Sequence, residues 1–310
     1  MNHPEQISRR LKLRHLNALL AVSKWGSMAK AAEHLSITQP VVSKAIADLE
    51  RVLGVPLFDR SPQGVEPTLY GRALLKRSHT IFDELRTSVS EIGFLADPTV
   101  GELRIGSTES VGAGLVQAVV SRLGKKYPHI IFDVVLGPSP SLLERELRGR
   151  QVELVAMATA SDGLDEDLEA TTLYHDRLQI VAGATSPWAR RRKIALSDLV
   201  NDRWCLPPPN HPVTMQVAEA FRRSGLPAPK ASVIAASPHF VFNMVVDGHC
   251  LGALWSARLD SYRGRMPLKV LPVKFPSPVA PVRIITLKDR TLSPLANLFI
   301  DTAREIGKSL

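Results

Sequence analysis

Apolar residues at Leu13, Leu16, Leu20 and Ala21, widened by Leu19 and Val22, recur at the three- and four-residue spacing of one buried helix face. Gly26 stops that helix. Ser27 is placed to cap a second, short helix, MAKAAEHL, whose alanines allow a neighbour to approach closely. Ser36-Ile37-Thr38 is a tight turn, after which Thr38 is the N-cap of a third helix with Pro40 in its first turn, where a missing N–H costs nothing. Val42, Ala45, Ile46, Leu49 and Leu53 are the inward face of this helix, and Gly54 closes it. The chain then turns into a strand through Phe58, reverses at Ser61-Pro62-Gln63-Gly64 and returns as Val65-Glu66-Pro67, a small hairpin or wing. A short alanine-rich helix, a tight turn and a second helix describe a helix-turn-helix.

From Thr68 to Leu95 there is no proline, and Leu74, Ser78, Ile81, Leu85, Ser88, Ile92 and Leu95 follow 4-3 spacing. Such a seam suits pairing with a second copy, with Leu74, Ile81, Leu85, Ile92 and Leu95 as its apolar contacts; the alternative is a helix packed on its own body. Asp97-Pro98-Thr99 ends the helix. Beyond residue 100, strands and helices alternate: strands at Leu103–Gly106, Ile130–Leu136, Val152–Met157, Gln179–Ala182, Leu251–Trp255 and Val282–Leu287, with helices near Gly112–Lys125, Ser141–Arg148, Val213–Arg222, His239–Asp247 and from Ser293. This predicts an α/β architecture with parallel sheet in two lobes. The expected organisation is a winged helix-turn-helix domain over about 1–67, a linker helix over 68–97 and an α/β domain over 100–310. Within the last, lobe 1 takes about 100–171 and 276–310, and lobe 2 about 172–275.

Charge placement sharpens this division. Residues 1–82 hold 12 Lys/Arg against 6 Asp/Glu, whereas the other 228 hold 27 against 24. A basic head on a balanced body is the distribution of a polyanion binder. No stretch approaches the ~18 consecutive apolar residues of a membrane helix, and MNHPEQISRRLKLRH has no apolar run behind its basic residues. The chain is therefore expected in the cytoplasm, with no membrane partner. Cys205 and Cys250 have no metal spacing and read as buried thiols, with a redox pair as the alternative. No phosphate-cradling glycine loop, G-x-S-x-G elbow or paired-histidine motif is present, so the expectation is a non-enzyme without cofactor or metal.

The outward face of the third helix carries the chemistry. Gln39 and Ser43 lie one turn apart with Lys44 beside them, near the helix N-terminus that a recognition helix presents to base edges. Gln pairs with adenine, Ser is versatile, and Lys reaches guanine or phosphate; the alternative is a solvated face. Arg60, at the base of the wing, is placed to meet a backbone phosphate unless it is simply solvated. In the α/β part, ligands bind where strands end and helices begin. Four such ends are polar: Ser107-Thr108-Glu109-Ser110, Ser139 with Ser141, Pro209-Asn210-His211, and Ser237-Pro238-His239. Each serine taken singly is equally a cap or turn residue. Glu109 would repel a carboxylate ligand unless turned away. An organic acid is the first expectation and a sugar or other neutral polyol the second.

The run SMAKAAEHLSITQPVVSKAIADLERVLGVPLFDR, followed by EPTLYGRALL, resembles the N-terminal winged helix-turn-helix of the LysR-type transcriptional regulators over roughly residues 11–75. More loosely, GELRIGST, YPHIIFDVVLG and LRGRQVELVAM resemble that family's effector domain, which is two-lobed like periplasmic binding proteins. The resemblance implies base contacts from Gln39, Pro40, Ser43 and Lys44, where the family often has Arg at the last position. It implies phosphate contacts from Thr38, Arg60 and Thr68, and effector contacts at Ser107, Thr108, Ser110 and Ser139, extending to His211 and His239. It also implies a homodimer that doubles to a homotetramer. The partners expected are double-stranded DNA carrying a promoter inverted repeat, a small-molecule effector, further copies of the chain, and RNA polymerase. A stand-alone solute-binding protein and an architectural DNA binder are the competing readings; the first lacks a reason for the basic head, the second for the two-lobed body.

Overall fold

A computed structural model describes residues 11–61, 64–159, 164–261, 267–276 and 279–309. The chain forms two compact units, Met1–Val89 and Ser90–Leu310.

The first unit contains α1 (Leu13–Trp25), α2 (Met28–His34), α3 (Gln39–Leu53), β1 (Phe58–Ser61), β2 (Gly64–Pro67) and most of α4 (Leu69–Ala96). The three short helices pack around Leu16, Leu19, Val22, Ala31, Val42, Ile46 and Leu49, all fully or almost fully buried, and Leu57 and Leu75 close the core from the wing and from α4. Gly26 and Gly54 end their helices in the left-handed conformation, φ 61° and 73°, which a residue without Cβ adopts without strain. Ser27 and Thr38 stand at the N-caps of α2 and α3, but neither side chain makes the capping bond expected of it; their backbone carbonyls receive Ala31 N–H (3.0 Å) and Val41 N–H (3.0 Å) instead. β1 and β2 pair antiparallel, Phe58 opposite Pro67 and Ser61 opposite Gly64. Pro62 and Gln63 of the expected turn lie outside the described residues.

α4 uses its faces differently along its length. Leu75 and Ser78 turn into the unit's own core, Leu74 is half-buried against it, and the Ser78 hydroxyl donates to Leu74 O (2.8 Å). The free seam therefore begins later than the heptad placed it, because the first turns of α4 are needed to close the three-helix core. Farther on, Ile81 and Leu85 are about two-fifths exposed, and Ile92, Leu95 and the unanticipated Val89 at least two-thirds.

The second unit is α/β. Its larger sheet has the order β4-β3-β5-β12-β6, built from β3 (Val100–Ser107), β4 (His129–Leu136), β5 (Leu154–Ala158), β6 (Leu168–Asp176) and β12 (Ala280–Leu287). β4 and β5 flank β3 in parallel, whereas β12 runs antiparallel to both β5 and β6. The sheet is thus mixed where a parallel one was expected: the chain returns from the second lobe through β12, from the opposite direction. On it pack a helix that starts at Glu109–Val111, widens to a π turn over Gly112–Val116 and continues as α5 (Gln117–Lys126), and α9 (Pro294–Gly307). The second lobe holds an antiparallel sheet, β10-β7-β11, from β7 (Leu178–Gly183), β10 (Gly252–Trp255) and β11 (Leu268–Val270). It also holds a parallel pair, β8 (Trp204–Leu206) with β9 (Ala231–Ile234), followed respectively by α6 (Pro212–Arg223) and α7 (Pro238–Val246). Its core centres on Trp204, Val217 and Phe221. Because β6 stays paired with β12 as far as Asp176, the first lobe extends to Asp176 rather than stopping at about 171. Among the described residues no helix is long and apolar enough to cross a membrane.

Candidate nucleic-acid interface and ligand cleft

The order of helices in the first unit fixes which side of α3 is free. Val42, Ile46 and Leu49 are consumed by the core, so Thr38, Gln39, Pro40 and Lys44 are exposed and Ser43 is half-exposed at the N-terminal end. The first turn carries no carboxylate, and the first acidic side chain of α3, Asp48, is paired with Arg51. An uncompensated helix N-terminus with one lysine favours phosphate through its free N–H groups and dipole. Gln39, Ser43 and Lys44 therefore share one accessible surface. Val41, in the same first turn but on another side of α3, is exposed as well, which residue type alone did not suggest. Arg60 lies on β1, but its side chain is outside the described residues. Thr68 has an internal role: its hydroxyl donates to Pro56 O (2.8 Å) and accepts from Gly71 N–H (3.0 Å). A phosphate contact from Thr68 would have to break the first of these bonds.

In the second unit the expected ligand residues fall into two pairs of strand ends. β3, β4 and β5 are parallel neighbours, so Thr108, Ser110 and the Gly137–Ser139 loop emerge side by side; Gly137 N–H donates to Ser107 O (3.2 Å) and Thr108 N–H to Ala156 O (3.3 Å). Ser107 itself is fully buried, and its hydroxyl lies 2.9 Å from Ala156 O and 3.0 Å from Thr108 O. It ties β3 to β5, so an effector contact from the Ser107 hydroxyl would have to displace one of these carbonyls. Thr108 is the reverse case: its Oγ1 is buried and has no hydrogen-bond partner, an arrangement that costs about 1–3 kcal/mol unless a partner arrives. Ser110, Ser139 and Glu109 are half-exposed around it, and the π turn that follows is a distortion frequent at functional sites.

In the other lobe β8 and β9 are joined beyond their ends by Ala235 N–H to Leu206 O (3.1 Å). His211 follows β8 and caps α6, its Nδ1 accepting from Val213 N–H (3.2 Å). Burial lowers its pKa, so the ring is neutral at pH 7 with its proton on Nε2. His239, on α7 after β9, is exposed and lies 3.3 Å from the Asn243 amide through Nε2. The two histidines thus head adjacent strands.

The crossover between lobes has a buried anchor that no local pattern revealed. Asp176, at the end of β6, accepts from Arg177 N–H (2.8 Å), Ala257 N–H (3.2 Å) and the Ser256 hydroxyl, holding the N-terminus of α8 (Ser256–Ser261), which follows β10. Ala257 in turn packs into the core of the first lobe. Asp176→Ala leaves these donors unpaired, so the melting transition of the effector unit should fall by the equivalent of about 1.5–3 kcal/mol, read by calorimetry of the full chain. An unchanged transition would show that the anchor carries no load. Cys205 and Cys250 share one buried cluster with Val241. Burial, then Cys250, pushes the Cys205 thiol up to about 11, and burial raises Cys250. Both are protonated and poorly nucleophilic at pH 7.

A three-helix head with a wing and an open α3 face, joined to a two-lobed α/β unit, defines a DNA-binding transcriptional regulator with a substrate-binding domain. Residues 13–72 match the bacterial regulatory helix-turn-helix protein, lysR family, and residues 96–308 match the LysR substrate binding domain; the chain belongs to the LysR family of transcriptional regulators. It is 30% identical over 297 residues to the HTH-type transcriptional regulator GbpR of Azospirillum brasilense, covering 95% of this chain and 86% of that protein. It is 26% identical to TdcA of Escherichia coli (strain K12), covering 95% and 93%. Among solved structures, a full-length OxyR variant from Pseudomonas aeruginosa superposes with a TM-score of 0.67 at 21% identity, covering 95% of both chains. Full-length CbnR complexed with its target DNA gives 0.63 at 18% identity, covering 95% and 99%.

Proposed function

We propose that this regulator reads an inverted repeat as a homodimer, doubled to a tetramer, by inserting α3 into successive major grooves. Gln39, Pro40, Ser43 and Lys44 contact base edges; Thr38 and Arg60 contact phosphates. The observation that carries this reading is the exposed, carboxylate-free N-terminal face of α3. Two recognition helices on a two-fold axis require half-sites about one helical turn apart. A small polar effector binds between the lobes, at the strand ends carrying Thr108, Ser110 and Ser139 on one side and His211 and His239 on the other. The unpartnered Thr108 hydroxyl supports this placement. The effector acts by binding one lobe arrangement better than the other, which biases the linker helices and the spacing of the DNA heads. RNA polymerase is the downstream partner, and the cytoplasm the setting.

The test is footprinting on the DNA upstream of the protein's own gene, at one fixed salt concentration because phosphate contacts make affinity salt-dependent. A protected inverted repeat is expected, with affinity falling by about ten- to a hundredfold in Gln39→Ala/Ser43→Ala while weak nonspecific binding persists. Protection that is unchanged in a folded double variant would remove α3 as the reader.

A further inference from the structure

Arginines of the second unit are met by carboxylates at several points: Arg104 by Asp133, Arg148 by Asp165 and Asp167, Arg222 and Arg223 by Glu219. Arg190-Arg191-Arg192-Lys193, in the second lobe between β7 and β8, is different. All four are exposed, and among the described residues none has an ion pair. The segment is nonetheless held in place. Ala189 and Ile194 on either side of it are buried, Trp188 Nε1–H donates to Asp202, and the Lys269 amine donates to Ala189 O. The Arg191 guanidinium lies 4.7 Å from the centre of the Trp188 ring, a stacked arrangement that leaves its N–H edge available. The carboxylates that follow in the chain are committed elsewhere: Asp198 accepts from Ala195 N–H (3.1 Å), and Asp202 from Trp188 and from Arg203 N–H (2.6 Å). Four adjacent like charges repel one another, so a fixed, unmatched run of them calls for a polyanion.

We propose that Arg190–Lys193 is a second DNA contact, made by the effector unit to the phosphate backbone of duplex flanking the sequence that the head protects. Guanidinium groups meet phosphate oxygens in bidentate pairs, and the lysine adds a point charge. The contact is to phosphate, so it is indifferent to base sequence. Duplex DNA is the polyanion favoured here because the helix-turn-helix head tethers it to the same chain. A tethered ligand is present at a high effective concentration, so a patch too weak to bind DNA alone is still occupied. The contact lengthens the DNA that the protein engages and makes its affinity more salt-dependent than the head alone would. It needs only that the head holds a duplex, not the assignment of particular residues on α3.

The experiment measures binding of the full chain against salt on two duplexes that share the footprinted sequence. One ends at its edges; the other extends about 30 base pairs, roughly 100 Å, on each side. For the wild type the plot of log K against log[salt] should be steeper by about 3 on the long duplex, at about 0.9 per phosphate neutralised. Arg190→Gln/Arg192→Gln/Lys193→Gln should lose most of that difference and about ten- to a hundredfold in affinity for the long duplex at ~0.1 M salt. Its binding to the short duplex should be unchanged. Arg191 is kept because it packs on Trp188, and a melting curve checks the fold. Lys230→Gln/Lys288→Gln/Lys308→Gln removes the same net charge from exposed lysines elsewhere on the unit and should keep the wild-type slope on both duplexes. An unchanged long-duplex slope in the Arg190 variant overturns the DNA contact and assigns the run to an acidic protein. An equal loss on both duplexes, or the same loss from the lysine variant, also overturns it, because the effect then comes from the head or from overall charge. Failure of α3 as the base reader is a separate result, since both duplexes carry whatever sequence the footprint marks.

Discussion

Gly71→Ala should unfold the DNA-binding head under conditions where the effector unit stays intact. Gly71 sits in the first turn of α4, and a Cβ there would lie 2.0 Å from Leu57 O and 3.4 Å from Pro67 Cβ. The clashing atom is backbone, held by Thr68 N–H donating to Leu57 O (3.0 Å) and by the Thr68 hydroxyl on Pro56 O. No rotamer relieves it, so α4 must withdraw from the wing. Withdrawal strips Leu75 and Ser78 from the core they close. The expected cost is at the upper end of overpacking penalties, about 3 kcal/mol, which lowers the midpoint of a domain this size by on the order of 15 °C. Gly93→Ala, in the same helix but with nothing within 4 Å of its Cβ, should instead stabilise by about 0.5–1 kcal/mol through helix propensity. Calorimetry of the two full-length variants reads both signs. A Gly71→Ala head as stable as wild type would show that α4 does not approach Leu57 this closely.

That glycine also shows where sequence reasoning works and where it stops. The head was legible because its signals are local: Gly26, Gly54, Pro40 and the helical spacing of Leu16, Leu19, Val42 and Ile46 all act within a few residues of themselves. The threonine-glycine step before α4 was visible as a motif, but its cause, the carbonyl of Leu57, lies fourteen residues away. In the second unit the strongly apolar strands β4, β5 and β12 were anticipated. β6 was not, since LEATTLYHD places polar residues along it, and β8, β9 and β11 are only three or four residues long. Ser107 was expected on the ligand wall because a serine at a strand end is polar and accessible by default. The neighbouring strand β5, 49 residues on, buries it and takes its hydroxyl. Asp176 has the same origin in reverse: its partners Ser256 and Ala257 are about 80 residues distant, and no spacing rule reaches that far. Exposure read from sequence is therefore most secure where one element presents the residues, as on α3, and least where several strands converge.

The exposed stripe of α4 carries the other large effect. Ile81, Leu85, Val89, Ile92 and Leu95 lie on a single helix, and a shallow groove between Arg77, Thr80, Ile81, Glu84, Leu85 and Ser88 runs along the same stretch. Burying one such side chain against a partner contributes about 1.5–3 kcal/mol, so several together suffice for a stable pair of helices, as knobs into holes on a 4-3 repeat require. Leu85→Asp/Ile92→Asp places a carboxylate in each of two layers of that pair. The double variant should sediment as a monomer where the wild type is a dimer or larger. Its operator affinity should then fall by about 10²–10⁴-fold, the advantage that linking two half-site contacts supplies, while its head still melts normally because these positions lie outside the core. Ser88 tests the same geometry by gain. It occupies a seam position, exposed and, among the described residues, donating to Glu84 O on its own helix (2.8 Å), so Ser88→Leu should tighten the dimer if the seam faces a second copy. A variant pair in which aspartate leaves the assembly intact and leucine does not strengthen it would move the dimer interface off α4. It would then have to lie in the effector unit, and the spacing of the DNA heads would be set there rather than by the linker.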